Sequence, residues 1–261
     1  MRWRFLLTPK WIVRHVLVVA LVVSMIWLAF WQLRRLDEKR TYKALVEARQ
    51  EQPVADVEQV VPANAAVNET AVEASLYRSV RASGTYAGRD TVVVENRTLN
   101  GTSGAWVLTP LRLADGNAVV VNRGFVRFDR TGKIAAPEPP TGTVTVQGLV
   151  FPNQRRGSFG PTDPATGRLD ALARVDLTRY AAQLDYPVLP AYVQLVTSRP
   201  AEPGPAPDSP KLIALGPPAP DEGPHLSYAV QWLIFTTIAS GGYLLLLRRV
   251  ARDQAKLHSD A

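Results

Sequence analysis

Val16–Leu33 reads VLVVALVVSMIWLAFWQL: 18 residues without a charge, of which only Ser24 and Gln32 are polar. As a helix it is about 27 Å long, close to the roughly 30 Å of bilayer hydrocarbon. Ile12 and Val13 extend the run past Arg14, whose side chain can snorkel. The apolar core is too long for a signal peptide, and no small-x-small cleavage site follows it. A second uncharged run, Leu226–Leu247, has 22 residues. Aromatics gather at the ends: Trp3 and Trp11 before the first run, Trp27, Phe30 and Trp31 at its close, Tyr228 and Trp232 opening the second and Tyr243 near its end. Such belts mark membrane interfaces. Two transmembrane helices, 12–33 and 226–247, are therefore expected.

The charge supports that reading. The chain has 261 residues, 30 basic and 23 acidic, for a net +7. Four basic residues (Arg2, Arg4, Lys10, Arg14) precede the first run. Four more (Arg248, Arg249, Arg252, Lys256) follow the second, against Asp253 and Asp260. The remainder, 22 basic and 21 acidic residues, is nearly neutral, which argues against nucleic acid as a partner. Arg34, Arg35, Lys39 and Arg40 after the first run favour the reverse orientation, but the short basic tail stays inside. Both termini are then cytoplasmic, 1–11 and 248–261, and the centre of the chain is extracytoplasmic. There is no cysteine, and methionine occurs only at Met1 and Met25, which excludes disulfides, zinc–thiolate sites, CxxC redox chemistry and Met-rich copper sites.

Between the runs, Arg34–Gln52 is rich in helix formers and stops at Pro53, so the first helix continues outward, and 53–75 reads as a linker (34–75 together). From Tyr77 the pattern changes to period two with β-branched residues. Tyr77–Tyr86, Thr91–Leu99, Ala105–Leu113, Ala118–Val126, Thr143–Phe151 and Ala191–Thr197 read as strands. Asp115-Gly116 signals a two-residue hairpin, and Asn100-Gly101 opens a tight loop ending at Gly104. Asp176 can cap a short helix over Leu177–Leu184. The expected fold is thus an α+β membrane protein. Two transmembrane helices flank an extracytoplasmic antiparallel β-sheet, or partly closed barrel, over 76–199 with one short helix. Pro152–Arg174 is a long loop of the functional or mobile kind. Pro200–Pro224, with nine prolines, is a stiff strap (200–225) to the second helix.

No nucleophile motif, Walker loop or paired metal-ligand spacing appears, so no catalytic residue is assigned and an enzyme is not expected. Of three histidines, His15 reads as an interfacial anchor and His258 lies in the polar tail. His225 directly precedes the second run, and helical spacing puts it on one stripe with Tyr228, Ala229 and Trp232. An imidazole there serves either as a haem-iron ligand or as an interfacial hydrogen-bonding group. Gln32 and Gln231, polar groups within the two runs, read as hydrogen-bonded to one another. Arg97 and Arg123 follow asparagines at strand ends and read either as anion receptors or as packing and turn residues.

Three stretches carry a family likeness: WQLRRLDEK (31–39), ENRTLNGTSGAWVLTPLRLADGNAVVVNRGFV (95–126) and HLSYAVQW (225–232). In this order, with two membrane spans, the chain resembles the Surfeit locus protein 1 family of cytochrome c oxidase assembly factors over most of 26–250. The resemblance implies a non-enzymatic factor that assists haem a insertion into the catalytic subunit of an aa₃-type oxidase. Haem a would be a transient cofactor, and the catalytic subunit and haem a synthase the partners. The family's second-helix histidine matches His225, the only metal ligand it implies, as an axial ligand of haem iron. Its helix tryptophan and glutamine match Trp31 and Gln32, and its Asn-Arg-Gly turn matches Asn122, Arg123 and Gly124. With Tyr228, Trp232 and Arg97 these make the cofactor-binding set. Phe125 stands where tryptophan is usual, and Ala29 where glycine is common. The linker and strap look like the actinobacterial branch. A bacterial plasma membrane is the expected location, with the mitochondrial inner membrane as the alternative. A structural scaffold that binds no haem is the alternative function.

Overall fold

The computed structural model describes residues 4–63, 69–129, 134–203 and 211–259. The chain divides into a helix pair, formed by the residues up to Leu45 and those from Pro220, and a β domain, Val46–Ala219.

Helix α1, Pro9–Gln50, runs unbroken for 42 residues, and α5 covers His225–Ser259. Both are long and apolar enough to cross a bilayer. Large apolar side chains from Val16 to Trp31 and from Leu226 to Leu246 point outward, while Ala29, Leu36 and Ala229 are buried. From Trp11 to Leu36 the less exposed positions of α1 (Trp11, His15, Val18, Val22, Met25, Ala29, Gln32, Leu36) recur in alternating steps of four and three, with Leu28 beside Ala29 as the one addition. That is the spacing of a coiled-coil seam. In α5, His225, Ala229, Trp232, Thr236 and Tyr243 keep the same phase. Hydrogen bonds between Tyr243 and His15 and between His225 and Gln32 set an antiparallel register. In that register Ala29 and Ala229 fall at one level, where two small residues let the backbones approach.

The β domain is a mixed eight-stranded sheet: β1 Ala55–Asp56, β2 Ser79–Tyr86, β3 Val92–Leu99, β4 Thr102–Leu113, β5 Ala118–Arg127, β6 Thr143–Pro152, β7 Ala171–Leu172 and β8 Val188–Arg199, in the order β1-β2-β6-β8-β5-β4-β3-β7. The wholly antiparallel expectation is corrected here. β8 lies parallel to β5, β1 to β2 and β7 to β3, while the remaining pairs are antiparallel. β8 enters between β5 and β6 after a long excursion, so its direction is set by tertiary packing rather than by a hairpin. A further pairing of β2 with β4 (Gly84↔Leu113, Thr85↔Arg112, Tyr86↔Leu111) closes β2, β6, β8, β5 and β4 into a ring. Gly84 is required at this closure, because a Cβ there would lie 2.1 Å from the Arg112 carbonyl oxygen.

Period-two alternation explains why β5 is buried along almost its whole length. Val119 and Val121 join the ring's interior with Val80, Leu111, Val146 and Val193, whereas Val120 faces a second cluster with Val94, Leu108, Leu172, Tyr180 and Tyr192. Each fully buried valine or leucine contributes roughly 1.5–3 kcal/mol. The stretch 53–75 carries β1, helix α2 (Val57–Val60) and helix α3 (Glu69–Ser75), and α2 brings Val57 and Val60 into the interior, followed by Val61. Helix α4, Leu177–Ala181, covers the second cluster, and Asp176 Oδ1 caps it by accepting from the Arg179 amide at 3.0 Å.

The two hairpin turns exchange their expected types. Asn100 (φ 49°) and Gly101 (φ 76°) form the two-residue turn that joins Leu99 to its partner Thr102. Gly104 lies inside β4 opposite Arg127. The other loop holds three residues, Ala114–Gly116. Gly116 alone takes positive φ (89°), and its amide donates to the Leu113 carbonyl. This is a turn followed by a glycine bulge. The side chain of Asp115 accepts from the Asn117 amide at 2.9 Å instead.

Candidate functional site

The histidine that opens α5 is built into the helix pair. His225 Nδ1 donates to Gln32 Oε1 at 2.7 Å, which brings together two of the residues singled out in the sequence. The third, Trp31, is 45% exposed and adjoins Gln32 on the flank of α1. On α5 the stripe splits. Ala229 is buried and Trp232 half-buried, its ring edge-on to Phe235 at 6.0 Å, while Tyr228 is 47% exposed. The expected Gln32–Gln231 bond is not formed. Gln231 is exposed, because it lies six residues, about 600° of helical rotation, beyond His225 and so faces away from the seam. Just before the histidine, Glu222 accepts from Arg40 at 3.0 Å and lies 3.6 Å from Lys43. The hydrogen bond from Arg40 holds the Glu222 carboxyl below the usual carboxylate range. Gly223 has φ 69°, and a Cβ on it would touch His225 Nε2 at 3.4 Å. Sequence reasoning passed over Gly223 and Glu222, and their only signal was proximity to His225.

His15, expected to be an anchor, is bonded through Nδ1 to the Tyr243 hydroxyl and lies 6.0 Å from the Trp11 ring, over which Arg14 stacks at 4.7 Å. The two histidine bonds are 17 residues apart on α1, about 26 Å along the axis. Among the described residues no group of three or more His, Asp or Glu is placed to hold a metal ion.

Arg97 and Arg123 belong to the β domain. Asn122-Arg123-Gly124 is not a turn. Asn122 pairs with Leu108 and Gly124 with Val107, which leaves Arg123 as the extra residue of a bulge in β5. Its side chain is fully buried. Nη2 and Nε donate to the Glu202 carboxylate (2.6 and 3.1 Å), Nη1 to the Pro137 carbonyl (2.7 Å) and Nη2 also to the Glu138 carbonyl (3.0 Å), and the group lies 5.7 Å from the Tyr86 ring. Gly124, at φ 144°, lets the strap pass, since a Cβ there would lie 2.6 Å from the Ile213 oxygen. Phe125 and Ile213 exchange both backbone hydrogen bonds at 2.8 Å. The motif therefore fastens the proline-rich strap to the barrel, and Glu202 is a partner that sequence reasoning missed.

Arg97 follows a second bulge, where Asn96 takes φ 56°. It is half-buried, with its guanidinium 4.4 Å from the Trp106 centroid and Nη2 donating to Gln154 Oε1 at 3.1 Å. Burial lowers its pKa below the usual arginine value. The long loop after β6 is stitched down. Asp163 accepts from the Ala173 amide, Arg179 donates to the Pro164 and Gly167 carbonyls, and Arg168 reaches the buried Asp90, which also accepts from the Tyr186 hydroxyl.

The model of the SURF1 family matches residues 19–237, which include Gln32, His225 and the whole strand array. The chain belongs to the SURF1 family. That family is known for cytochrome oxidase assembly. Uncharacterized SURF1-like proteins of Mycobacterium bovis and Mycobacterium tuberculosis are each 26% identical to it over 250 residues, 92% of this chain and 84% of theirs. A SURF1-like protein of Rickettsia felis is 24% identical over 153 residues, 57% of this chain and 62% of its own. Two departures of this SURF1 member fit their surroundings. Ala29 is buried at the level of Ala229. Phe125 is buried against Gly104, where an added Cβ would come within 2.5 Å of the ring.

Proposed function

We propose that this SURF1 family member is a non-enzymatic assembly factor for an aa₃-type cytochrome c oxidase, and that it holds haem a transiently for insertion into the catalytic subunit. In this reading α1 and α5 span a bacterial plasma membrane with both termini inside and the β domain outside. The 26 Å between the two histidine bonds is close to the hydrocarbon thickness, which supports a reading with one histidine near each interface, His225 on the outer side by the proposed orientation. Haem a synthase and the oxidase catalytic subunit are the partners.

The observation that carries the reading is His225 itself: a half-buried imidazole held by Gln32 where a helix begins, with Tyr228 and Trp31 exposed beside it. The donor set suits haem better than a bare ion. A porphyrin brings four ligands of its own and asks the protein for an axial imidazole, apolar surface and little else. Trp232 adds apolar surface two turns further along α5. When bound, haem a would supply the iron centre of the oxidase. The chain's own part is to present the ligand and shield the ring.

Of the two arginines singled out in the β domain, Arg123 is committed to Glu202, and Arg97 is held beside Trp106 and Gln154. That commitment also favours a second reading, a scaffold that steadies the oxidase without touching haem. A deletion strain complemented with wild type or His225→Ala tests the proposal. Oxidase haem a content should fall on deletion and be restored by wild type alone. Full restoration by His225→Ala would support the scaffold.

A further inference from the structure

We infer that Gln32 is the positioning residue of this site: it fixes the tautomer of His225 so that Nε2 is the atom offered to iron. The inference rests on the haem reading above, but its physical content lies in the helix pair alone.

A glutamine Oε1 has only lone pairs, so the atom 2.7 Å from it, His225 Nδ1, carries the proton. A neutral imidazole with Nδ1–H has its lone pair on Nε2. The bond also fixes the plane of the ring, because Gln32 is on the seam of α1 and its carbonyl meets the imidazole edge from across the helix pair. Metal-bound histidines ordinarily donate their second ring nitrogen in this way, which orients the ring and makes the ligating nitrogen more basic.

Gly223 supplies the other half of the arrangement. It sits two residues before the histidine at φ 69°, a conformation suited to glycine, and a Cβ there would lie 3.4 Å from Nε2 and 3.5 Å from Cδ2. A metal–imidazole bond is about 2 Å long, and the porphyrin plane stands across it. A side chain against Nε2 would therefore occupy the space the macrocycle must enter. Gln32 turns the lone pair to Nε2, and Gly223 keeps that edge clear.

The test uses the full chain in detergent micelles, with and without added haemin. In the metal-free protein, nitrogen-15 spectra of labelled histidine should show His225 with a bare Nε2 in wild type and a mixture of tautomers in Gln32→Leu. The chain has three histidines, and His225→Ala assigns the signal. Followed by the Soret band, haemin should bind Gln32→Leu about 10–100-fold more weakly than wild type. Gln32→Glu, which keeps the acceptor, should restore binding and bring the reduction potential of the bound haem below that of Gln32→Leu. Gly223→Asn, which tolerates positive φ, should keep the tautomer yet weaken haemin binding. A bare Nδ1 in wild type, or equal haemin affinity in wild type and Gln32→Leu, overturns the inference. If the tautomer follows Gln32 as described but neither protein binds haemin, the tautomer control stands and the haem reading falls.

Discussion

Glu202→Ala would leave a charged guanidinium inside the β domain without its counter-ion. The Arg123 side chain is 0% exposed and its partner 18% exposed, with a shortest contact of 2.6 Å. Removing one member of a buried pair costs about 3–5 kcal/mol. Two features reduce that figure here. Arg123 keeps the Pro137 and Glu138 carbonyls as acceptors, and water can enter from the side where Glu202 is partly exposed. The expected loss is therefore about 2–3 kcal/mol. With a urea slope of about 2 kcal/mol per M, the unfolding midpoint of the β domain should fall by about 1–1.5 M. Near-ultraviolet circular dichroism follows the transition. Glu202→Gln keeps an acceptor and should lose less. The double variant Arg123→Met, Glu202→Ala should regain part of the loss, because no buried charge remains. An unchanged midpoint for Glu202→Ala would refute the reasoning that this pair fastens the strap to the barrel.

Gly84→Ala should open the barrel seam and lower stability by about 3 kcal/mol, since a Cβ 2.1 Å from a backbone oxygen cannot be relieved by a side-chain rotation; thermal unfolding measures it. In the three-residue hairpin, Gly116→Val should cost about 1–2 kcal/mol and Asp115→Val clearly less, because only Gly116 holds positive φ; equal costs would contradict the turn assignment. Burial pushes the Tyr86, Tyr180 and Tyr192 hydroxyls above the ordinary value of 10.0. A folded pKa above the unfolded one stabilises below the unfolded value, and that contribution is lost as pH rises through the folded one. Absorbance at alkaline pH should accordingly show these rings ionising only with unfolding, and a single transition near 10 for all tyrosines would contradict it.

The helices were legible because their runs are long and uncharged, and the strands because β-branched residues alternate on cue. The seam between the helices was not. Runs apolar on every face give no amphipathic phase, and only the small Ala29 and the polar Gln32 hint at which side turns inward. Spacing arguments work within one helix. They put His225, Ala229 and Trp232 together, but they cannot supply the antiparallel register that brings Gln32 rather than Gln231 to the imidazole. In the β domain the parallel placement of β8 beside β5 depends on partners far apart in the chain, such as Asn122 and Gln194, and β7 is two residues long. Asn100-Gly101 and Asp115-Gly116 carry the same local signal, and one added residue in the second loop changes the turn. Arg123 looked like a strand-end cation because a bulge that buries an arginine has no signature apart from the glycine after it. The strap's contribution, Glu202, lies 79 residues away.

The most direct test of the central claim is the absorption spectrum of the protein purified from membranes that make haem a, wild type beside His225→Ala. Wild type should carry an oxidase-type haem spectrum, and His225→Ala should insert and fold normally but carry none. Haem retained by His225→Ala, or haem absent from wild type, would contradict the account.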